Sequence, residues 1–267
     1  MLFRSASSRR RPDGPPAGKE IPPDAAGEEA ETPSLPGFER TEAEGAVPGV
    51  TAAGGAEVLA EIERIFVQVF ALVGEAIAGA THALLAGDRE AAKQLVQRDE
   101  MVDRLTRQAA ELAQRQLVSG ETTPEERREL VAVLRMLPDL ERNGDLAEHI
   151  ARRAARSLGS EMTARSRGLV ERMGEVAATI WASTADSFAE RAPSGATYID
   201  DLDDELDDLH VTLTAELGAG TMSLPVAIEL AMVARFYERF GDHAVNLARR
   251  MAPLVGTAAD PGTPGAD

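Results

Sequence analysis

The sequence predicts an all-α protein of two tandem, pseudo-symmetric three-helix bundles flanked by disordered N- and C-terminal tails. Three observations lead there. Apolar residues recur at three- and four-residue spacing through the middle of the 267-residue chain, and no alternating run of useful length interrupts them. Aromatics make up only 4% against 43% hydrophobic residues, so the core must close through Ala, Leu and Val, which suits helices better than a sandwich or barrel. Finally, "ERNGDLAEHIARR" (Glu141 to Arg153) and "ERFGDHAVNLARR" (Glu238 to Arg250) agree at eight of thirteen positions, the mark of an internal duplication.

The elements follow in order. Residues 1–55 hold eight of the fifteen prolines and show no hydrophobic period, so they bury too little to offset ordering entropy; residues 253–267 are alike in composition. A first helix is predicted from Glu57 to Ala86. Gly87 ends it, and Asp88 caps a second helix that runs to Val118. In "SGETTPEE" Thr123 is an N-cap, Pro124 takes the first helical position and Glu126 completes a capping box, opening a third helix to Leu158. A fourth is predicted over Glu161–Glu190, broken by "RAPSGA", a fifth over Thr197–Leu217 and a sixth over Pro225–Met251. Two units result, 57–158 and 160–252.

The repeat extends upstream of the matching thirteen. "DEMVD" (Asp99 to Asp103) parallels "DDELD" (Asp203 to Asp207). Asp99 and Glu141 lie 42 residues apart and Asp203 and Glu238 35 apart; the difference of seven is about two helical turns, one from each arm of a hairpin. The same faces therefore meet in both units.

The acids hold defined positions on these faces. Val133, Leu137, Leu140, Gly144, Ala147 and Ala151 form an apolar stripe, and Glu141 and Asp145 each follow a stripe residue by one. On the sixth helix the stripe is Leu230, Ala234, Tyr237, Gly241, Ala244 and Ala248, flanked by Glu238 and Asp242. On the second, Asp103 borders Val102, Leu105, Ala109 and Leu112. Like charges at i and i+4 repel unless something intervenes, and helices two and three as antiparallel neighbours bring four carboxylates to one seam. An all-carboxylate shell suits Mg²⁺, Mn²⁺ or iron, or zinc with an added His or water. The competing reading is a solvated face in which Arg142 and Arg239 neutralise the acids. Gly144 and Gly241 each cost about 1 kcal/mol of helix propensity, which close approach of a neighbouring helix or ion would offset.

Charge and composition exclude several functions. A net charge of -17 repels nucleic-acid phosphates. The chain has no cysteine, which removes disulfides, thiolate zinc sites and cysteine nucleophiles. "MLFRSASSRRRPDG" has basic residues but no following apolar segment, so no secretory signal is expected, and Arg9 to Arg11 are weak grounds for a lipid or RNA contact. Ile65–Leu85 is apolar enough to suggest a membrane span, but Gln68, Glu75 and His82 recur on one side, as in a bundle helix with one wet edge. His149, His210 and His243 lie near the acids. Asp207 and His210 are the nearest approach to the Glu-x-x-His of a ferritin-like di-iron enzyme, but no Glu version exists. Met101, Met136, Met173 and Met232 are expected to fill core, and Trp181 to pack or anchor an interface.

Taken together, "DLERNGDLAEHIA", "YERFGDHAVNLA" and the preceding DxxxD helices resemble the PhoU family of phosphate-uptake regulators, over about residues 57–252. "LLAGDREAAKQLVQRDEMVDRL" is similar to that family's first hairpin. The resemblance implies a metal-binding adaptor and not an enzyme, with ligands at Asp99, Asp103, Glu141 and Asp145 in the first unit and Asp203, Asp207, Glu238 and Asp242 in the second. The implied role is negative control of the phosphate-starvation response. A cytoplasmic homodimer would link the ATPase subunit of a phosphate ABC transporter to a sensor histidine kinase, without a membrane-spanning segment of its own. The alternatives are a metal-dependent helical-bundle enzyme and a pure scaffold. The chain departs from the family in places. It has Glu126-Arg127-Arg128 where DLR is usual, Pro225 at the equivalent Arg position, Phe236 in place of an acid, and Pro138, expected to bend the third helix beside the first site.

Overall fold

Apolar stripes with no strand pattern dictate helices that pair face to face, and the computed structural model has that form. It describes residues 54–156, 158–191 and 196–255. Six helices run in order: α1 (Gly55–Ala86), α2 (Arg89–Ser119), α3 (Pro124–Ala154), α4 (Ala164–Ala189), α5 (Ala196–Gly218) and α6 (Leu224–Val255); no strand occurs among the described residues. The tails expected to be disordered fall almost wholly outside the described residues, as does most of "RAPSGA".

The local signals act where they stand in the chain. Asp88 accepts hydrogen bonds from the backbone N–H groups of Glu90 (3.1 Å) and Ala91 (3.0 Å). Thr123 and Glu126 form the reciprocal capping box at the start of α3, at 3.1 and 2.8 Å. Two boundaries differ from expectation. Helix α3 ends at Ala154, short of the expected Leu158, and Leu158 instead opens a 3-10 turn, Leu158–Glu161. Helix α4 begins at Ala164 because Thr163, which sequence reading passed over, caps it by accepting from the Ser166 N–H at 3.0 Å. At the other end α6 runs through Pro253 to Val255. Pro138 sits inside α3, exposed, and the helix continues past it.

Packing divides the helices into the two expected triplets: α1, α2 and α3 contact one another, as do α4, α5 and α6. The triplets join along α3 against α6 and α1 against α4, and the α3–α6 contact is as extensive as any within a triplet. Helix α1 is long and apolar enough by composition to cross a membrane. Here it buries Ile62, Phe66, Val69, Val73, Ile77 and Leu84 among its neighbours and leaves Gln68, Glu75 and His82 exposed.

The aromatic residues gather where α1, α4 and α6 meet. Trp181 is buried, stands 5.0 Å from the Phe70 ring and 5.4 Å from the Phe240 ring, and donates from Nε1 to the Phe70 carbonyl at 2.8 Å. Tyr237 is fully buried and its hydroxyl meets Thr81 Oγ1 at 2.7 Å, joining α6 to α1. Met136 and Met173 are core residues as expected, whereas Met101 and Met232 are exposed, at 42% and 40%. Met232 lies opposite the α6 stripe, and Met101 sits beside Val102 at the exposed edge of α2. Because Trp181 fills the junction of three helices and satisfies a carbonyl, Trp181→Ala should destabilise the protein by about 3–5 kcal/mol in urea unfolding.

Candidate metal centre

The acids flank stripes that are themselves buried, so each carboxylate lies at the rim of a helix–helix seam. In the first unit Val133, Leu137, Leu140, Gly144, Ala147 and Ala151 are all buried. Helix α2 brings Asp99 and Asp103 to this seam from the facing side. Ligand atoms of Asp99, Asp103 and Asp145 lie within 4.8 Å of one another, and all three residues are half-buried. Glu141 is exposed and stands outside this triad; it borders an open groove that Asp103 also lines.

A fourth acid near the triad was not anticipated. Glu148, on α3, is the strongest charged neighbour of Asp99 and is held by Arg152 of the next turn. The repeat contained the signal: "LAEHI" in the first copy is "HAVNL" in the second, which puts buried Val245 where the first copy has Glu148.

The glycines explain how the acids get so deep. A Cβ built on Gly144 would lie 3.2 Å from Asp99 Oδ1 and 3.1 Å from Val102 Cγ1. One built on Gly241 would lie 2.4 Å from Asp203 Oδ1 and 2.9 Å from Leu206 Cδ2. In the second unit the carboxylate of the preceding helix thus occupies the space of a missing methyl group, and in the first it stands closer than a methyl would comfortably allow. Burial above all, then Glu148, Asp103 and Asp145, bring the Asp99 carboxyl up to about 7 against a weak opposing pull from Arg152. Burial likewise brings Asp203 to about 7, reinforced by Asp242, Asp207 and Asp204. Asp145 and Glu238 are also shifted upward by burial, with Arg142 and Arg235 respectively opposing.

The second seam is looser. Asp203 and Glu238 are half-buried, Asp207 and Asp242 are exposed, and no group of three converges there as tightly among the described residues. Glu238 pairs with Arg235 through Oε1, while its buried Oε2 has no hydrogen-bond partner. The arginine expected to neutralise it, Arg239, is not the partner; Arg142 does pair with Asp145, at 3.3 Å. Asp99, Asp103, Asp203, Asp207, Glu141 and Asp242 make no ion pair among the described residues. An all-oxygen donor set, half-buried and short of cations, is chemically suited to a hard divalent ion. When bound, such an ion would supply the missing positive charge; the chain's own residues fix where the oxygens stand.

The histidines divide differently from the acids. His210 is an electrostatic neighbour of Glu238. His149 stacks on Phe236 across the α3–α6 contact, with ring centroids 5.2 Å apart, and Arg153 lies over the same ring. His243 turns away from the seam and meets Asp139 of α3 through Nδ1 at 3.1 Å, where Arg250 also pairs with Asp139 at 2.5 Å.

The geometry has counterparts in known proteins. The family model described as the PhoU domain matches residues 66–154 and again 170–251, one copy per three-helix unit. The phosphate-specific transport system accessory protein PhoU homolog 2 of Mycobacterium tuberculosis is 32% identical over 205 residues, covering 73% of this chain and 93% of that protein. A PhoU homolog of Rhizobium meliloti is 30% identical, over 77% of this chain and 88% of its own length. The crystal structure of PhoU from Pseudomonas aeruginosa superposes with a TM-score of 0.70 at 25% identity, covering 76% of this chain and 99% of that one.

Two outcomes test the seam geometry. Gly241→Ala must displace Asp203 and Leu206, so it should cost about 1–2 kcal/mol of stability despite the better helix propensity of Ala. Gly168→Ala, on an exposed position of α4 with nothing within 4 Å, should instead gain up to about 1 kcal/mol. The second outcome concerns pH. Asp99 and Asp203 titrate near 7 when folded and at an ordinary 3.8 when unfolded, so the folded state holds their protons more tightly. Their contribution to stability is full below pH 3.8 and is lost as pH rises through about 7. Denaturation of chelator-treated protein across that window should show the decline, and Asp99→Asn with Asp203→Asn should flatten it.

Proposed function

We propose, from the premise that this chain belongs to the PhoU family, that it is an accessory and regulatory protein of phosphate transport and not an enzyme. The observation that carries this reading is the match of the family model to both three-helix units, together with relatives named as phosphate-specific transport system accessory proteins that are covered over nearly their whole length. Nothing in the acidic seams needs to turn over a substrate. An ion among these carboxylates would relieve the burial and mutual repulsion that raise Asp99 and Asp203.

On this reading the seams are divalent-cation sites. Asp99, Asp103 and Asp145 supply the first, with Glu141 and Glu148 within reach, and Asp203, Asp207, Glu238 and Asp242 supply the second. The tighter convergence in the first unit supports stronger binding there, and Mg²⁺, Mn²⁺, iron and zinc are the candidate ions. Bound cations would turn two acidic seams into surfaces that an acidic or phosphorylated partner tolerates.

The finer role follows the family. The chain would act as a cytoplasmic homodimer joining the ATPase subunit of a phosphate ABC transporter to a sensor histidine kinase, and would hold starvation signalling off when phosphate is plentiful. The test is a pull-down of the tagged full-length protein from phosphate-replete cells, with metal content measured on the same preparation. Wild type should retain the transporter ATPase or the kinase and carry divalent metal. Asp103→Asn with Asp145→Asn should remove the first site's share, about half of the bound metal, with helicity unchanged. Recovery of neither partner, or normal repression of phosphate-scavenging genes in a deletion strain, would refute the adaptor role; unchanged metal content would refute the first site.

A further inference from the structure

The chain is strongly acidic, yet five arginines line one groove. It lies where the N-terminal half of α3 meets the C-terminal half of α6, encloses about 570 Å³, and is bordered by Arg127, Arg128, Arg135, Arg249 and Arg250. Its volume falls within the range of small-molecule sites.

The acids that touch these arginines do not balance them. Arg128 pairs with Glu125 at 3.1 Å, Arg249 with Asp200 at 3.0 Å and Arg250 with Asp139 at 2.5 Å. Arg127 reaches only Thr122, and the Arg135 guanidinium has no hydrogen bond or ion pair among the described residues. The Arg135 carbonyl accepts a hydrogen bond from Arg250, which ties the two walls together. The groove thus keeps two uncompensated positive charges in a chain whose net charge is -17.

The duplication supplies an internal control. Aligned on Glu141 and Glu238, positions 127, 128 and 135 correspond to Leu224, Pro225 and Met232. Leu224 and Met232 are exposed, at 72% and 40%. The second unit builds the same helix without a single arginine there, so the fold does not require them. Self-repulsion of clustered guanidiniums disfavours the arrangement unless an anion relieves it.

We propose that this groove binds a small polyanion carrying two or more linked phosphates, whether a nucleoside di- or triphosphate or inorganic tripolyphosphate. Guanidinium groups match phosphate oxygens two at a time. Arg127 and Arg135 stand eight residues apart, about 12 Å along the helix, so a chain of linked phosphates can meet both guanidiniums with less bending of the side chains than a single phosphate requires. Exposed Val131 on the groove floor offers an apolar surface for an organic group. This site is separate from the acidic seams and does not depend on the regulatory role proposed above.

Calorimetric titration of the full-length protein with tripolyphosphate, ATP and orthophosphate tests it. Excess chelator in the buffer prevents a phosphate from bridging through a cation in the acidic seams. Tripolyphosphate or ATP should bind saturably at one site, about tenfold more tightly than orthophosphate, and more weakly as salt rises. Tighter ATP binding would assign a contact to the nucleoside; equal or tighter tripolyphosphate would assign the phosphate chain alone. Arg127→Gln with Arg135→Gln, both exposed positions, should weaken binding about tenfold or more. Lys93→Gln with Arg165→Gln, equal in charge but at the opposite end of the helices, should change it less than about twofold. No saturable binding up to about 1 mM, equal losses in the two double variants, orthophosphate binding as tightly as the longer anions, or displacement by hexaglutamate as effective as by tripolyphosphate would overturn the proposal.

Discussion

Two carboxylates, Asp99 and Asp203, stand so close to a glycine of the facing helix that a methyl group there would crowd the first and collide with the second. That close approach sets the helix spacing in each unit. It needs glycine at 144 and 241, it draws an ionisable oxygen half out of water, and it seats the oxygen beside other acids that flank the same stripe. Each step raises the cost of ionisation. Burial above all, with the acids around them, brings both aspartates up to about 7. A cation relieves this cost more fully than a surface arginine does. Arg152 illustrates the point: it lies near Asp99 but is committed to Glu148.

The two units share this device and differ around it. In the first, three carboxylates converge and Glu148 stands close by; in the second, Val245 replaces that acid and the remaining oxygens spread toward solvent. The units are joined by polar as well as apolar contacts between α3 and α6. Glu229 bridges Arg153 and Arg156, and Asp139 gathers His243 and Arg250. Every one of these groups is within a few turns of an acidic seam, so the seam between units is built from the same two helices that carry the glycines.

The architecture was legible because helical periodicity and capping are local. Asp88, Thr123 and Glu126 act where the sequence placed them, and the α3 stripe is buried at every position named for it. The acids were legible as a flank but not in depth. A period of 3.6 residues places Glu141 and Asp145 beside the stripe, but it does not say which of them the neighbouring helix covers. Helix α2 covers Asp145 and leaves Glu141 in solvent. The same gap explains Met101 and Met232: both are apolar, both are helical, and only the tertiary arrangement leaves them outside. His243 was read against its sequence neighbour Asp242, whereas its ring is held by Asp139, 104 residues away.

The unlike outer faces of α3 and α6 have a consequence for how the molecule is met by others. A perfect duplication would present the same surface twice, and a partner could dock in either of two orientations related by half a turn. Here one copy shows guanidiniums where the other shows Leu224 and Met232. The chain accordingly has a front and a back, and an assembly formed on it inherits a single handed arrangement from a gene that began as two equal halves.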